Sequence, residues 1–282
     1  TAYFARPRVR FTTYAIAGPE LAIVRFRTYP SHLLGLLSEP ELKDVDVLPR
    51  AIVAAGFSTM QRPGLSVSVE DGLAGQLTAR RFFREGTSNK GSYELIADLS
   101  AAKSLPLPGF ARHVFAARAA VGAVQGSVGR AVDVGGISGG SIEVLPGLAI
   151  GDSRRSFFVR GFLPGSSIGD RGFASSAEYR VPLRRIGRGV ALVPANVQKL
   201  SALLFADAGR AWCSARVDGS PVCPVTSSDG PTLASAGAEL LVDFALQYDV
   251  LYRARIGVAA PVSSRDIAPR TATLYLTFGS TF

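Results

Sequence analysis

Charge, histidine, cysteine and unbroken apolar runs are all scarce in this chain. Of its 282 residues only 19% are charged, and there are two Cys, two His, one Met and one Trp. A soluble domain of this size carries about 25% charge, so the surface is short of the groups that solvate it. Disorder is excluded, because it needs low hydrophobicity with strong charge bias, whereas 47% of these residues are hydrophobic. Two histidines and two cysteines are too few for a convincing metal site. Every stretch of the roughly 18–20 residues that a membrane-crossing helix needs is broken by Arg, Asp, Glu, Gly or Pro. Helical spanning is therefore excluded, which leaves a large soluble β or α/β domain or a β-barrel that crosses a membrane with strands.

The chain also lacks an initiator Met and an apolar leader at Thr1-Ala2-Tyr3-Phe4-Ala5-Arg6. The expectation is a processed form or a piece of a longer chain. Net charge is +9, yet the arginines are scattered through apolar segments and form no basic run, so nucleic acid is not an expected partner. Anionic lipid heads or a basic channel lining suit them better. Cys213 and Cys223 flank the turn-forming Asp218-Gly219-Ser220-Pro221. They read either as a loop-closing disulfide, implying an oxidising compartment, or as two unrelated buried thiols. No nearby His or Cys completes a zinc site.

What the chain does have is alternation. Leu274, Leu276, Phe278 and Phe282 share one face of the C-terminal segment, opposite Thr273, Tyr275, Thr277 and Thr281. Val250, Tyr252, Ala254, Ile256 and Val258 oppose Arg253 and Arg255, and near the start Val9 and Phe11 oppose Arg8 and Arg10, as Val24 and Phe26 oppose Arg25 and Arg27. Period two marks strands. Further strands are expected at about 51–59, 73–83, 91–100, 111–124, 141–150, 154–160, 174–182, 200–210 and 234–246, separated by turn-forming clusters. The stretch 30–48, with Pro30, Pro40 and His32-Leu33-Leu34, reads as a loop or short helix. No second domain boundary appears, so residues 1–282 are expected to form one domain.

A soluble sandwich also alternates. The polar face here carries Arg beside Asp, Glu and Thr, as a wet lumen does. The expected fold is thus all-β, an antiparallel transmembrane β-barrel. With about 9–11 residues per spanning strand, the chain supplies roughly 12 to 16 strands, and an even count is expected of a closed bacterial barrel.

A family resemblance rests on an ordered series: Phe157-Phe158-Val159-Arg160-Gly161-Phe162, then Ser176-Ala177-Glu178-Tyr179-Arg180, then Leu204-Phe205-Ala206-Asp207-Ala208-Gly209, and a terminal strand ending at Phe282. The series resembles the BamA/TamA/FhaC-type outer-membrane assembly and secretion superfamily, the bacterial surface antigen barrel. The resemblance implies that Val159, Arg160, Gly161 and Phe162 lie on a loop folded into the lumen. It further implies that Arg160 contacts Glu178 and Asp207 on the following wall strands, and that Leu274, Leu276, Phe278 and Phe282 form the terminal assembly signal. A buried guanidinium needs carboxylates in bidentate reach to offset its desolvation. An ordinary set of barrel-filling ion pairs with no part in gating is the plainer reading of the same three residues.

The likeness is specific over about 150–282. In the first half only Pro63-Gly64-Leu65-Ser66-Val67-Ser68-Val69-Glu70-Asp71-Gly72 is familiar, and with Arg184-Arg185-Ile186-Gly187-Arg188-Gly189 it resembles barrels that follow a TolB-type propeller. No POTRA repeat is legible. The resemblance implies a bacterial outer-membrane protein, embedded in lipid, that inserts or translocates client proteins, with the terminal strand as one side of a seam against the first. Its alternative is a passive barrel anchoring a periplasmic module or partner complex. Neither reading makes it an enzyme or gives it a cofactor. Gly136-Ile137-Ser138-Gly139-Gly140 fits G-x-S-x-G, but a hydrolase of that kind has its His after the Ser, and His32 and His113 both precede Ser138. Gly161, Gly165, Gly169 and Gly172 lack the Gly-Lys-Ser/Thr of a phosphate loop. Glu94 and Asp98 read as solvated lumen groups rather than a catalytic pair.

Overall fold

A computed structural model describes residues 2–8, 11–25, 45–83, 91–125, 131–137, 142–145, 148–150, 156–190, 193–216, 223, 225, 229–246, 250–264, 268 and 271–280. Phe282, Thr281, Ser138 and most of the 30–48 segment lie outside these.

Fifteen strands follow in chain order: β1 (Ala2–Arg8), β2 (Phe11–Arg25), β3 (Val45–Ser58), β4 (Gly72–Phe82), β5 (Ser92–Leu105), β6 (His113–Gln125), β7 (Val132–Val134), β8 (Ile142–Leu145), β9 (Leu148–Ile150), β10 (Ser167–Gly169), β11 (Arg171–Val190), β12 (Val193–Trp212), β13 (Leu233–Leu246), β14 (Val250–Pro261) and β15 (Thr273–Ser280). Eleven of them form one antiparallel sheet in the order β1-β2-β3-β4-β5-β6-β11-β12-β13-β14-β15. The remaining four pair as β10 with β7 and β8 with β9, inside the long connection between β6 and β11.

The strand positions follow the alternation, and among the described residues the sheet holds eleven strands against the expected twelve to sixteen. β11 and β12 each run 20 residues, about twice a minimal membrane strand, so the chain is spent on fewer, longer strands. Two expected strands also change character. The 141–150 stretch is two short strands, and Ser156–Arg160 is loop, because its residues serve an interior site rather than a ladder. Eleven strands joined by ten antiparallel ladders leave β1 and β15 pointing the same way. The expected seam between them is not present among the described residues, and two parallel edges cannot form an antiparallel one.

One face of the sheet is apolar and exposed: Leu77, Leu99, Phe115, Leu204, Leu240, Ile256 and Leu276 stand on it in seven different strands. The opposite face carries Asp98, Arg118, Ser176, Glu178, Asp207, Glu239 and Asp243, facing a shared interior. Two loops fill that interior. The β3–β4 connection crosses the sheet, placing the Val67 carbonyl 2.7 Å from Arg253 Nη2 on β14 and the Ser66 carbonyl on Lys199 Nζ of β12. The stretch from Ser156 to Ser166 enters from the other end. Its Phe157, Val159 and Phe162 pack with Val132, Val134, Ala174, Ala211 and Leu233 in the larger apolar core.

A smaller core joins Leu203, Phe205, Leu241, Ala259 and Tyr275. Phe205 lies across Gly237, its register partner on β13. A Cβ at Gly237 would run into both the Phe205 ring and the Val258 carbonyl. Gly237→Ala is therefore expected to cost about 1–3 kcal/mol, the usual cost of forcing atoms into a filled site. Urea unfolding measures it, and a neutral result would show that the ring has room to move.

Candidate functional site

The site is centred on Arg160, and local backbone chemistry explains why the guanidinium reaches it. Val159 bridges Gly136, the Gly136 amide donates to the Phe162 carbonyl, and the Gly135 amide donates to the Phe157 carbonyl. These bonds pinch the loop so that Val159 and Phe162 are held in the apolar core while Arg160 projects between them. Gly161 has φ +90° and its Cα faces Ala259 of β14. A side chain there would meet a backbone conformation that residues with a Cβ rarely adopt.

Arg160 uses every edge of its guanidinium. Nε and Nη2 donate to Asp207 Oδ2 and Oδ1 at 2.7 and 2.8 Å, a bidentate pair. The Arg160 backbone N–H also donates to Asp207 Oδ2, at 3.1 Å. Nη1 donates to Glu239 Oε1 at 2.8 Å, and Nη2 reaches Glu178 Oε1 at 3.1 Å and Ser176 Oγ at 3.0 Å. Beneath the cation the Phe205 ring centroid lies 3.6 Å from Cζ, a cation–π contact in a dry setting. Burial works to strip Arg160 of its charge, but the Asp207, Glu178 and Glu239 carboxylates outweigh it and hold the pKa above the ordinary guanidinium range.

The structure thus brings Arg160, Glu178 and Asp207 together on the loop, β11 and β12. It adds three partners that the sequence reading did not single out: Glu239 on β13, Ser176 on β11 and the Phe205 ring. A fourth, Tyr275 on β15, donates its hydroxyl to Glu239 Oε1 at 2.6 Å, so the network ties the loop to four wall strands. Alternation did carry a signal for Glu239 and Tyr275, since both fall on the inward parity of their strands. Which inward residues meet is a matter of register: Ser176 faces Asp207, and Tyr275 faces Gly257, which faces Glu239.

Of a second interior cluster the sequence reading placed only Arg253, on the polar face of its strand, and missed Asp243 and Lys199. Asp243 accepts from Arg253 Nε and Nη2 at 2.6 and 2.8 Å and lies 3.4 Å from Lys199 Nζ. The same two cations hold the β3–β4 loop through its carbonyls. Glu94 and Asp98 face inward, paired with Arg80 at 3.2 Å and Arg118 at 2.7 Å. Beside the Arg160 network lies a cavity of about 300 Å³ bordered by Arg118, Phe158, Ser176, Arg180 and Arg255.

The other expected site residues are placed as follows. Leu274, Leu276 and Phe278 stand on the outer face, Leu274 being 79% exposed, while Phe282 lies outside the described residues. Cys213 and Cys223 are joined by a disulfide at the end of β12. Among the described residues no three His, Cys, Asp or Glu side chains gather as a metal ion would require. His113 Nδ1 lies 2.8 Å from the Tyr179 hydroxyl on the outer surface, away from the interior.

No protein-family model matches the chain, and no match to it was found among curated proteins. Among solved structures it is similar to BamA from Haemophilus ducreyi lacking POTRA domains 1–3, with TM-score 0.51 and 14% identity. The likeness covers 95% of this chain and 50% of that one, so the chain spans about half the length of the structure it matches. At that identity the likeness shows the fold alone: an antiparallel sheet of the kind that builds the BamA barrel. It lends no support to the resemblance to propeller-linked barrels.

Proposed function

We propose that this chain is a barrel domain of the bacterial outer membrane, of the assembly type, whose work is to help envelope proteins insert into or cross that membrane. The observation that carries the reading is the two-faced sheet. A continuous apolar outer face and an ion-paired interior are what strands need when lipid lies on one side and a wet lumen on the other. The likeness in fold to BamA supports the assembly role, and the disulfide suits an oxidising envelope compartment.

In this reading the Arg160 loop braces the wall from within, while the outer edge of β15, which no strand pairs among the described residues, offers backbone donors and acceptors. An incoming strand can add to such an edge by β-augmentation, which satisfies its own amides as they enter lipid. Function resides in a surface and an edge rather than in a reaction.

The first measurement is gel mobility of unheated against boiled protein after refolding into detergent. A membrane barrel resists SDS until heated, so a heat-dependent shift is expected. Absence of a shift, together with solubility in plain buffer, would return the soluble sandwich to favour. Insertion itself is tested in proteoliposomes offered an unfolded outer-membrane barrel as client. Faster client folding than in empty liposomes is expected; equal rates leave the chain a passive anchor.

A further inference from the structure

The outer face carries two arginines that the interior logic does not explain. Inward-pointing Arg80 is paired with Glu94, whereas its neighbour Arg81 points outward and forms no ion pair among the described residues. Its guanidinium lies instead 4.4 Å from the Tyr93 ring centroid and 5.8 Å from that of Phe83, both rings half exposed. Arg171, at the start of β11, likewise points outward without an ion pair among the described residues. Both border a groove of about 460 Å³.

That groove is built from register. Ala51, Arg81, Tyr93 and Gln125 form one row across β3, β4, β5 and β6, and Val53, Ala79, Leu95, Ala123 and Arg171 form the next. Ala51, Ala79 and Ala123 make a low floor, with Val53 and Leu95 as apolar walls. The position matters as much as the composition. Arg81 and Gln125 end their strands while Tyr93 and Arg171 begin theirs, so all four sit at one end of the sheet, where headgroups meet hydrocarbon. Aromatic rings belong at that level, and a cation there is costly unless an anion meets it.

We propose that this groove binds an anionic membrane lipid, its phosphate held by Arg81 and Arg171 and an acyl chain lying over the alanine floor. The inference rests on the membrane reading above and adds to it a lipid class and a place. Backbones of β4 and β11 stand three strand spacings apart, about 14 Å, a gap that two extended arginine side chains close from either side. The aromatic faces of Tyr93 and Phe83 keep the Arg81 guanidinium oriented while the site waits for a phosphate.

The test uses the whole chain in bilayer discs containing equal amounts of phosphatidylglycerol and phosphatidylcholine, with native mass spectrometry counting the lipids retained. Wild type is expected to keep phosphatidylglycerol in preference. Arg81→Gln and Arg171→Gln should each lower its retention about fivefold, the effect of one basic residue at an anionic surface. Lys103→Gln, which removes an exposed outward cation at the other end of the sheet, should leave retention unchanged. Unaltered retention in the arginine variants, or an equal fall in Lys103→Gln, overturns the proposal alone. Failure of wild type to enter a purely phosphatidylcholine bilayer overturns the membrane reading, and this proposal falls with it.

Discussion

Replacing Arg160 with alanine is expected to cost about 3–5 kcal/mol of stability, the usual penalty for breaking a buried ion network by removing one member. The size follows from what is left behind. Asp207 and Glu239 have 0% and 2% of their side-chain surface exposed, so losing the guanidinium strands two carboxylates whose direct ion pairs among the described residues run to Arg160. Urea unfolding in lipid, followed by the heat-shifted gel band, measures it; a loss under about 1 kcal/mol would show that water already shares the site. The loop should also become cleavable around 156–166, since its charged anchor is gone.

Two further variants separate pairing from packing. Arg160→Lys keeps the charge but cannot form the bidentate fork to Asp207 while also reaching Glu239, so an intermediate loss is expected. Arg160→Glu should be worse than alanine, and adding Asp207→Arg should recover part of the loss. Damage that simply adds would argue against direct contact between the two residues.

Asp243→Ala is the second large effect. Asp243, 2% exposed, is the carboxylate between Arg253 and Lys199, and without it the two cations face each other across a confined space. We expect about 3 kcal/mol of destabilisation, with a consequence for shape as well. Arg253 and Lys199 hold the Val67 and Ser66 carbonyls, so their repulsion should release the β3–β4 loop. Chymotrypsin cleavage after Leu65, within that loop, reports it, and an unchanged digest would mean that the loop is held by its own packing. Glu239 and Asp243 lie four residues apart on β13, about 13 Å along a strand, and among the described residues their clusters share no hydrogen-bond partner. The Arg160 and Asp243 losses are therefore expected to add within about 0.5 kcal/mol.

Much of this molecule was legible before any coordinates, because alternation is a local property. Leu274, Leu276 and Phe278 against Tyr275, or Ile256 and Val258 against Arg253 and Arg255, announce two faces of unlike chemistry through side-chain direction alone. The order of the motif segments also placed Arg160, Glu178 and Asp207 in one neighbourhood. That inference came from resemblance, since nothing in their spacing measures a distance.

Register and loop path lay beyond reach, and for the same physical reason. Inward parity made Glu239 and Tyr275 eligible partners, but parity does not say which level of the interior each occupies. That is set by how neighbouring strands slide against one another, a choice made by all the ladders together. The course of the β3–β4 loop across to β12 and β14 depends on carbonyls meeting distant cations, and carbonyls carry no sequence signature. Strand length lay beyond reach likewise: it is decided by where neighbours keep pairing, and β11 and β12 each run 20 residues. Alternation alone was enough to make the chain all-β, with one apolar face and one charged face. That four carboxylates and three cations meet inside it as two separate clusters follows from the folded sheet alone, because those contacts join residues that only the ladders bring together.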